Sequence, residues 1–183
     1  MSNPRPEPNP PEDQVHLMLD IEALGNKPGA ALTELAAQYF NPYTGTVGPA
    51  IQLLIKVQSP FLIDPDTLAW HEEKGTYPRE EEQEALAIPP ATAVFTFDQF
   101  LKAHGKPDIF WAWGSTYDFP LLEALYQATL QPSPWEYWQA QCARTVFRTL
   151  LPLTKPTPKP HAAAQDVAIQ IKDLTTAFAV LKN

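Results

Sequence analysis

Val15 to Ile21 read Val-His-Leu-Met-Leu-Asp-Ile, and Glu22 follows. The run is too short for a free helix and apolar at both parities, which is the pattern of a strand buried on both faces by other elements. It ends in acid. A strand's period of two puts Asp20 and Glu22 on one face, so a fold that buries this strand holds two anions a few ångströms apart at its end. Either the strand simply emerges into water there, or a hard divalent cation with oxygen ligands neutralises the pair. Whatever surrounds this strand has to cover both of its faces and leave the acidic end accessible.

With 183 residues the chain has room for one ordinary domain with a sizeable core and not for two, which excludes a multidomain polymerase or helicase. Its 13 Lys and Arg against 21 Asp and Glu give a net charge of −8. A protein that grips long duplexes through a broad basic surface carries the opposite sign. If nucleic acid is the partner, contact is local, with some carboxylates screened by bound cations. Cys142 is the lone cysteine, so neither an intrachain disulfide nor a thiolate zinc site is available. The N-terminus has no signal-peptide pattern and no apolar run is long enough to span a bilayer. The expectation is a soluble, cytoplasmic protein without a membrane partner.

Proline then sets the boundaries. Of 21 prolines, Pro4, Pro6, Pro8, Pro10 and Pro11 crowd the start, so residues 1–13 are expected to form a disordered proline-rich tail and 14–183 a single domain. Pro152, Pro156, Pro158 and Pro160, with Lys155 and Lys159 between them, demand a loop. Between these limits the sequence predicts a three-strand antiparallel meander: the first run, Leu32 to Phe40, and Ala50 to Val57. Helices follow: one N-capped by Asp64 through Trp70 to Lys74, an acidic one around Arg79 to Ala87 whose Glu80-Glu81-Glu82 is a solvated face, and Thr96 to His104. A short aromatic strand, Ile109 to Trp113, precedes a helix over Asp118 to Thr129 and another over Arg144 to Leu151. Apolar residues at helical spacing from Ala164 to Leu181 close the chain with an amphipathic helix. The fold class is α/β: a mixed sheet of three antiparallel strands and then shorter ones, flanked by helices.

Three more residues bear on chemistry. Asp118 is placed either to cap its helix or to bind a ligand. His161 and Asp166 are five positions apart, about 140° on a continuous helix; Pro160 places His161 on the loop or the first helical position and Asp166 one turn inside, facing the sheet. A histidine on such a loop is either an exposed surface imidazole or a group that swings toward a substrate.

Together, Asp20-x-Glu22 on the first strand, Asp118 at a mid-chain helix and His161-x-x-x-x-Asp166 opening the last helix resemble the DEDDh superfamily of 3′-to-5′ exonucleases, on the ribonuclease H-like fold. The resemblance spans Val15 to Leu181. It is closest to small phage and bacterial exonucleases with an Asp-Ile-Glu-x-Leu-Gly opening, which stands here as Asp20-Ile21-Glu22-Ala23-Leu24-Gly25. Trp70, Trp113-Gly114 to Asp118-Phe119, and Pro134-Trp135 to Trp138 with Arg144-Thr145 are similar to that branch too. One departure is Gln141-Cys142, where the branch often carries Arg-Asp.

The resemblance implies metal-dependent hydrolysis of phosphodiester bonds at single-stranded 3′ ends of DNA or RNA, releasing nucleoside 5′-monophosphates. It implies two divalent cations, Mg²⁺ or Mn²⁺: Asp20, Glu22 and Asp166 around one, Asp20 and Asp118 around the other, with His161 as general base. Ala23, Leu24, Trp70 and Lys159 are the candidate substrate contacts. Core packing is the alternative for Leu24 and Trp70, and a solvated loop lysine the alternative for Lys155 and Lys159. Trp111, Trp113, Trp135 and Trp138 are assigned to packing, and Cys142 to a small buried site. The resemblance leaves a homodimer open. The competing functions are a catalytically silent nucleic-acid-binding or adaptor protein on the same fold, and a polymerase's proofreading subunit.

Overall fold

Strand β1 (His16–Ala23) lies at the centre of a five-stranded sheet ordered β3-β2-β1-β4-β5. The computed structural model describes Pro10 and residues 13–182; apart from Pro10 and Asp13, the expected tail over residues 1–13 lies outside the described residues. β1 runs antiparallel to β2 (Leu32–Phe40), which pairs antiparallel with β3 (Val47–Leu54), so the expected meander is present. On its other side β1 pairs in parallel with β4 (Ile109–Ala112), and β4 with β5 (Ala140–Cys142).

The two parities of β1 build two cores. Leu17, Leu19, Ile21 and Ala23 pack with Phe97 and Leu101 of α3 (Pro90–His104) and Leu122, Leu125 and Tyr126 of α4 (Ser115–Ala128). Met18 faces the opposite way, into a second cluster with Trp111, Trp113, Phe147 of α5 (Ala143–Leu150), and Val167, Ile171 and Leu174 of α6 (Ala163–Ala179). Helices on both faces explain why Leu17, Met18 and Leu19 are apolar at both parities before the acidic end. Asp20 and Glu22 have Met18's parity, which puts them on the α6 face.

α1 (Pro65–Lys74) starts where expected, with Asp64 Oδ1 accepting the Thr67 amide at 2.8 Å, and ends at Gly75, whose φ of 66° lies in the left-handed region open to glycine. The acidic helix shrinks to α2 (Glu81–Ala85), with Glu80, Glu81 and Glu82 exposed. β3 begins earlier than Ala50 and includes Pro49, which an edge strand tolerates.

Three expectations are corrected. α4 starts at Ser115 with Gly114 as N-cap, so Asp118 is the fourth helical residue and not the cap. Leu24 is wholly buried and its backbone amide and carbonyl are engaged by Ala31 and Asp64, so it packs the interior and presents no side chain to a base. Cys142 is only half-buried, at the end of β5, with its thiol 3.7 Å from the Trp113 carbonyl oxygen. Trp111, Trp113 and Trp135 are buried as expected, and Trp138 is half-buried. Among the described residues no helix is long and apolar enough to cross a membrane.

Candidate active site

A cleft of about 500 Å³ opens at the carboxyl end of the parallel β1–β4 pair, where open α/β sheets place their ligands. Asp20, Glu22, Asp118, His161 and Asp166 all line it, although they come from β1, α4 and the loop and first turn of α6. Ala23, Trp70 and Lys159 line it as well. Of the residues expected at the site, Leu24 and the exposed Lys155 stay outside.

The carboxylates are held before any ligand arrives. Asp20 accepts a hydrogen bond from the side-chain amide of Gln170, fully buried on α6 one turn beyond Asp166. Asp118 Oδ2 accepts from the Gly114 amide at 3.3 Å, and the Ile21 backbone amide supports the same carboxylate. The Asp166 amide donates to the Ala162 carbonyl at 2.9 Å, which fixes the start of α6. One ligand atom each from Glu22, His161 and Asp166 fall within 4.8 Å of one another.

Burial and mutual repulsion make this cluster reluctant to ionise. Burial, then the neighbouring Asp118, raises Asp20 well above the usual carboxylate range. Glu22 is pushed up to about 8 by burial and by Asp166, with a contribution from Glu34 directly across the β1–β2 ladder. Burial raises Asp118 to about 6 and lifts Asp166 too. Four carboxylates in this condition suit a cation, and Asp166 decides the fit: its Oδ1 is buried and, among the described residues, has no hydrogen-bond partner. Hard oxygen donors with an unused lone pair are what Mg²⁺ and Mn²⁺ take.

His161 is exposed on the loop before α6 and has φ of 59°, a left-handed conformation in which histidine is enriched. The Trp70 ring meets it edge to face, and the neighbouring His71 is buried with Nε2 3.1 Å from the Ala23 carbonyl oxygen and Nδ1 2.7 Å from Thr76 Oγ1. His71 thereby ties α1, and Trp70 with it, to the acidic end of β1. Lys159 Nζ is 3.9 Å from Asp20 Oδ1 and 5.0 Å over the Trp113 ring.

Gln170 and His71 escape the sequence reading, and Tyr117 and Arg144 enter it only within stretches that carry the resemblance, without a role assigned to them at the site. Gln170 is four residues after Asp166 on the buried face of α6, a spacing that could have flagged it. Tyr117 and the exposed Arg144 line the cleft, Tyr117 with its phenol pushed up to about 12 by burial and by Asp118, Glu22 and Asp20. His71 gives no sequence signal beyond its place beside Trp70.

Comparison with known families is decisive here. The 3′-5′ exoribonuclease Rv2179c-like domain model matches residues 15–177. The chain belongs to that family. This exoribonuclease-family chain has no match among curated proteins by sequence. Among solved structures it is similar to apo exonuclease I, with a TM-score of 0.68 and 16% identity over 92% of this chain and 44% of that one. It is similar also to E. coli exonuclease I in complex with a dA16 oligonucleotide, at 0.68 and 15% over 93% and 43%. The zinc-ion-bound E. coli exonuclease I–ssDNA complex gives 0.66 and 15% over 87% and 39%. The chain thus spans less than half of those chains. The family and the mixed sheet together place it among the DEDDh-type exonucleases on the ribonuclease H-like fold, and the domain is a 3′-5′ exonuclease domain, a hydrolase by class.

Proposed function

We propose that the protein, as a single domain over residues 14–183, is a metal-dependent 3′-to-5′ exonuclease that trims single-stranded RNA ends to nucleoside 5′-monophosphates in the cytoplasm. The observation that carries this reading is the convergence of Asp20, Glu22, Asp118 and Asp166 with His161 on one cleft, including a buried Asp166 oxygen without a partner. RNA is favoured by the exoribonuclease family; single-stranded DNA is the second reading, favoured by the oligonucleotide complexes of exonuclease I.

Asp20, Glu22 and Asp166 would hold one divalent cation, and Asp20 with Asp118 a second. When bound, such cations supply Lewis acidity to the phosphoryl and leaving oxygens and offset the charge of the carboxylates. His161, exposed at the cleft mouth, takes the proton from the attacking water as general base. Trp70 holds its ring. Lys159 and Arg144 meet the phosphate backbone, and the Ala23 backbone forms part of the wall beside the terminal nucleotide. Local cationic contact of this kind lets a chain of net charge −8 handle a polyanion.

The test is a gel time course with 5′-labelled single-stranded RNA and DNA and Mg²⁺ or Mn²⁺, beside EDTA and the variants Asp20→Asn, Asp166→Asn and His161→Ala. The expected result is a metal-dependent ladder shortening from the 3′ end, faster on RNA and lost in the folded variants. Full activity in Asp20→Asn or Asp166→Asn would overturn the site. Retention of labelled RNA without cleavage in Mn²⁺ would favour a silent binding protein.

A further inference from the structure

We propose that Lys159 is the site's built-in counter-ion, holding the carboxylate cluster together in the metal-free protein and giving way when divalent cations load. The inference rests on the metal-dependent reading above.

The ammonium lies 3.9 Å from Asp20 Oδ1, is attracted also by Asp166 and Asp118, and has the face of Trp113 5.0 Å on another side. Its side chain is 17% exposed, although the loop that carries it lies on the surface. This placement is constructed. Two residues earlier, the Thr157 amide and hydroxyl donate to both carboxylate oxygens of Asp173 on α6, at 2.9 and 2.7 Å, and Asp173 is itself buried. Pro156, Pro158 and Pro160 fix φ around the clamp, which limits how far the loop can slide. The chain therefore aims one cation at a cluster of buried like charges that would otherwise repel one another.

Lysine is the residue suited to a temporary post. It carries a compact charge on a flexible four-carbon stem, whereas arginine would stay locked in a bidentate fork. A single positive charge cannot match two divalent cations, so loading expels it. The expelled ammonium stays tethered two residues before His161, at the mouth where the substrate's phosphates enter. Linkage then makes the two events reciprocal: whatever lysine contributes to the metal-free site, metal affinity gives up, and metal loading frees a phosphate-binding group.

The experiment is Mn²⁺ binding to the full chain without nucleic acid, followed by calorimetry and by the electron paramagnetic resonance of free Mn²⁺, for the wild type, Lys159→Met and Lys159→Arg. Lys159→Met is expected to bind Mn²⁺ at least about fivefold more tightly than the wild type, the low end of ordinary coupling between sites. Lys159→Arg, which keeps the charge, is expected to bind no more tightly than the wild type. In EDTA, Lys159→Met is expected to melt below the wild type, with the gap closing in Mn²⁺. Should Lys159→Met not fold, Thr157→Val loosens the clamp by removing the hydroxyl bound to Asp173, leaves Asp20, Glu22, Asp118 and Asp166 unaltered, and is expected to tighten Mn²⁺ binding in the same direction. Wild-type Mn²⁺ binding that neither neutral variant improves overturns the counter-ion role and leaves the metal site standing. Absence of Mn²⁺ binding in the wild type and in every variant overturns both.

Discussion

The indole of Trp70 stands edge-on to the imidazole of His161, with ring centroids 4.9 Å apart and planes at 87°. A solvent-exposed histidine in a left-handed backbone conformation is thereby braced by a helix from a different part of the chain, and that helix is anchored to β1 through His71. Sequence reading weighs Trp70 as a base-stacking platform or a core residue; the structure adds a third role, as the support of the proposed general base.

Trp70→Ala is expected to lower kcat about ten- to a hundredfold, the penalty for misplacing a reacting group by an ångström or so. KM should change less. Trp70→Phe, which keeps a ring against His161, should recover most of the rate. Steady-state hydrolysis of a short RNA separates the cases: a rise in KM with kcat intact would assign Trp70 to nucleotide stacking instead.

Stability of the metal-free protein should fall as pH rises. Glu22 is raised from 4.5 to about 8 and Asp118 from 3.8 to about 6, so the native state keeps protons that the unfolded chain has released. The stabilisation is complete below the unfolded values and is lost progressively up to the native ones. In EDTA, Tm is expected to decline between about pH 5 and pH 8, with Glu22→Gln flattening the upper part of the slope. Mn²⁺ should reverse the decline, because it binds the deprotonated carboxylates. Thermal melts at a series of pH values check this, and a Tm rising with pH in EDTA would contradict it.

Gln170 orients Asp20 from a fully buried position on α6. Gln170→Leu should weaken Mn²⁺ binding by about 10–100-fold, as loss of an outer partner of a metal ligand does. Gln170→Glu should be worse, since it adds a fifth buried carboxylate to the cluster. Calorimetric titration is the readout, with circular dichroism to verify the fold.

Gly25 answers to packing. A Cβ at this position would lie 2.9 Å from the Ala30 Cβ and 3.4 Å from the Asp64 Cβ, where the turn after β1 crosses the start of α1. Gly25→Ala is expected to destabilise the protein by about 1–3 kcal/mol, the range for overpacking a filled site. Urea unfolding with Mn²⁺ present and absent measures it, and the same loss in both conditions marks an effect on packing alone.

Much of this was legible in the residues themselves. β1 announced itself because it is apolar at both parities and its end is acidic, and α1 because Asp64 and Pro65 are N-terminus signals. Asp20, Glu22, Asp118, His161 and Asp166 were found as a pattern, and the fold brings them to one cleft. β5 was missed because its three half-buried residues carry no periodicity. A cap stays open for Asp118 in the sequence, beside its place at the site, because Gly114, the actual N-cap, has no side chain to show its role. Leu24 was misplaced because sequence says where a strand ends and not how the following turn folds back beneath α1. The Thr157–Asp173 clamp depends on which face of α6 meets which loop, a long-range relation invisible to local pattern, whereas Gln170 shares a helix face with Asp166 and only its partner Asp20 is long-range.

The alternation along β1 also acts as an error check on folding. Leu19 and Ile21 fill the core under α3 and α4, while Asp20 and Glu22 between them supply the cleft on the α6 side. A slip of one residue in the pairing of β1 would exchange the two sets, driving carboxylates into hydrocarbon and turning leucine and isoleucine toward the cleft. Such a molecule would lose its core and its acidic cleft in the same stroke, so a one-residue slip cannot leave a stable fold with the cleft scrambled.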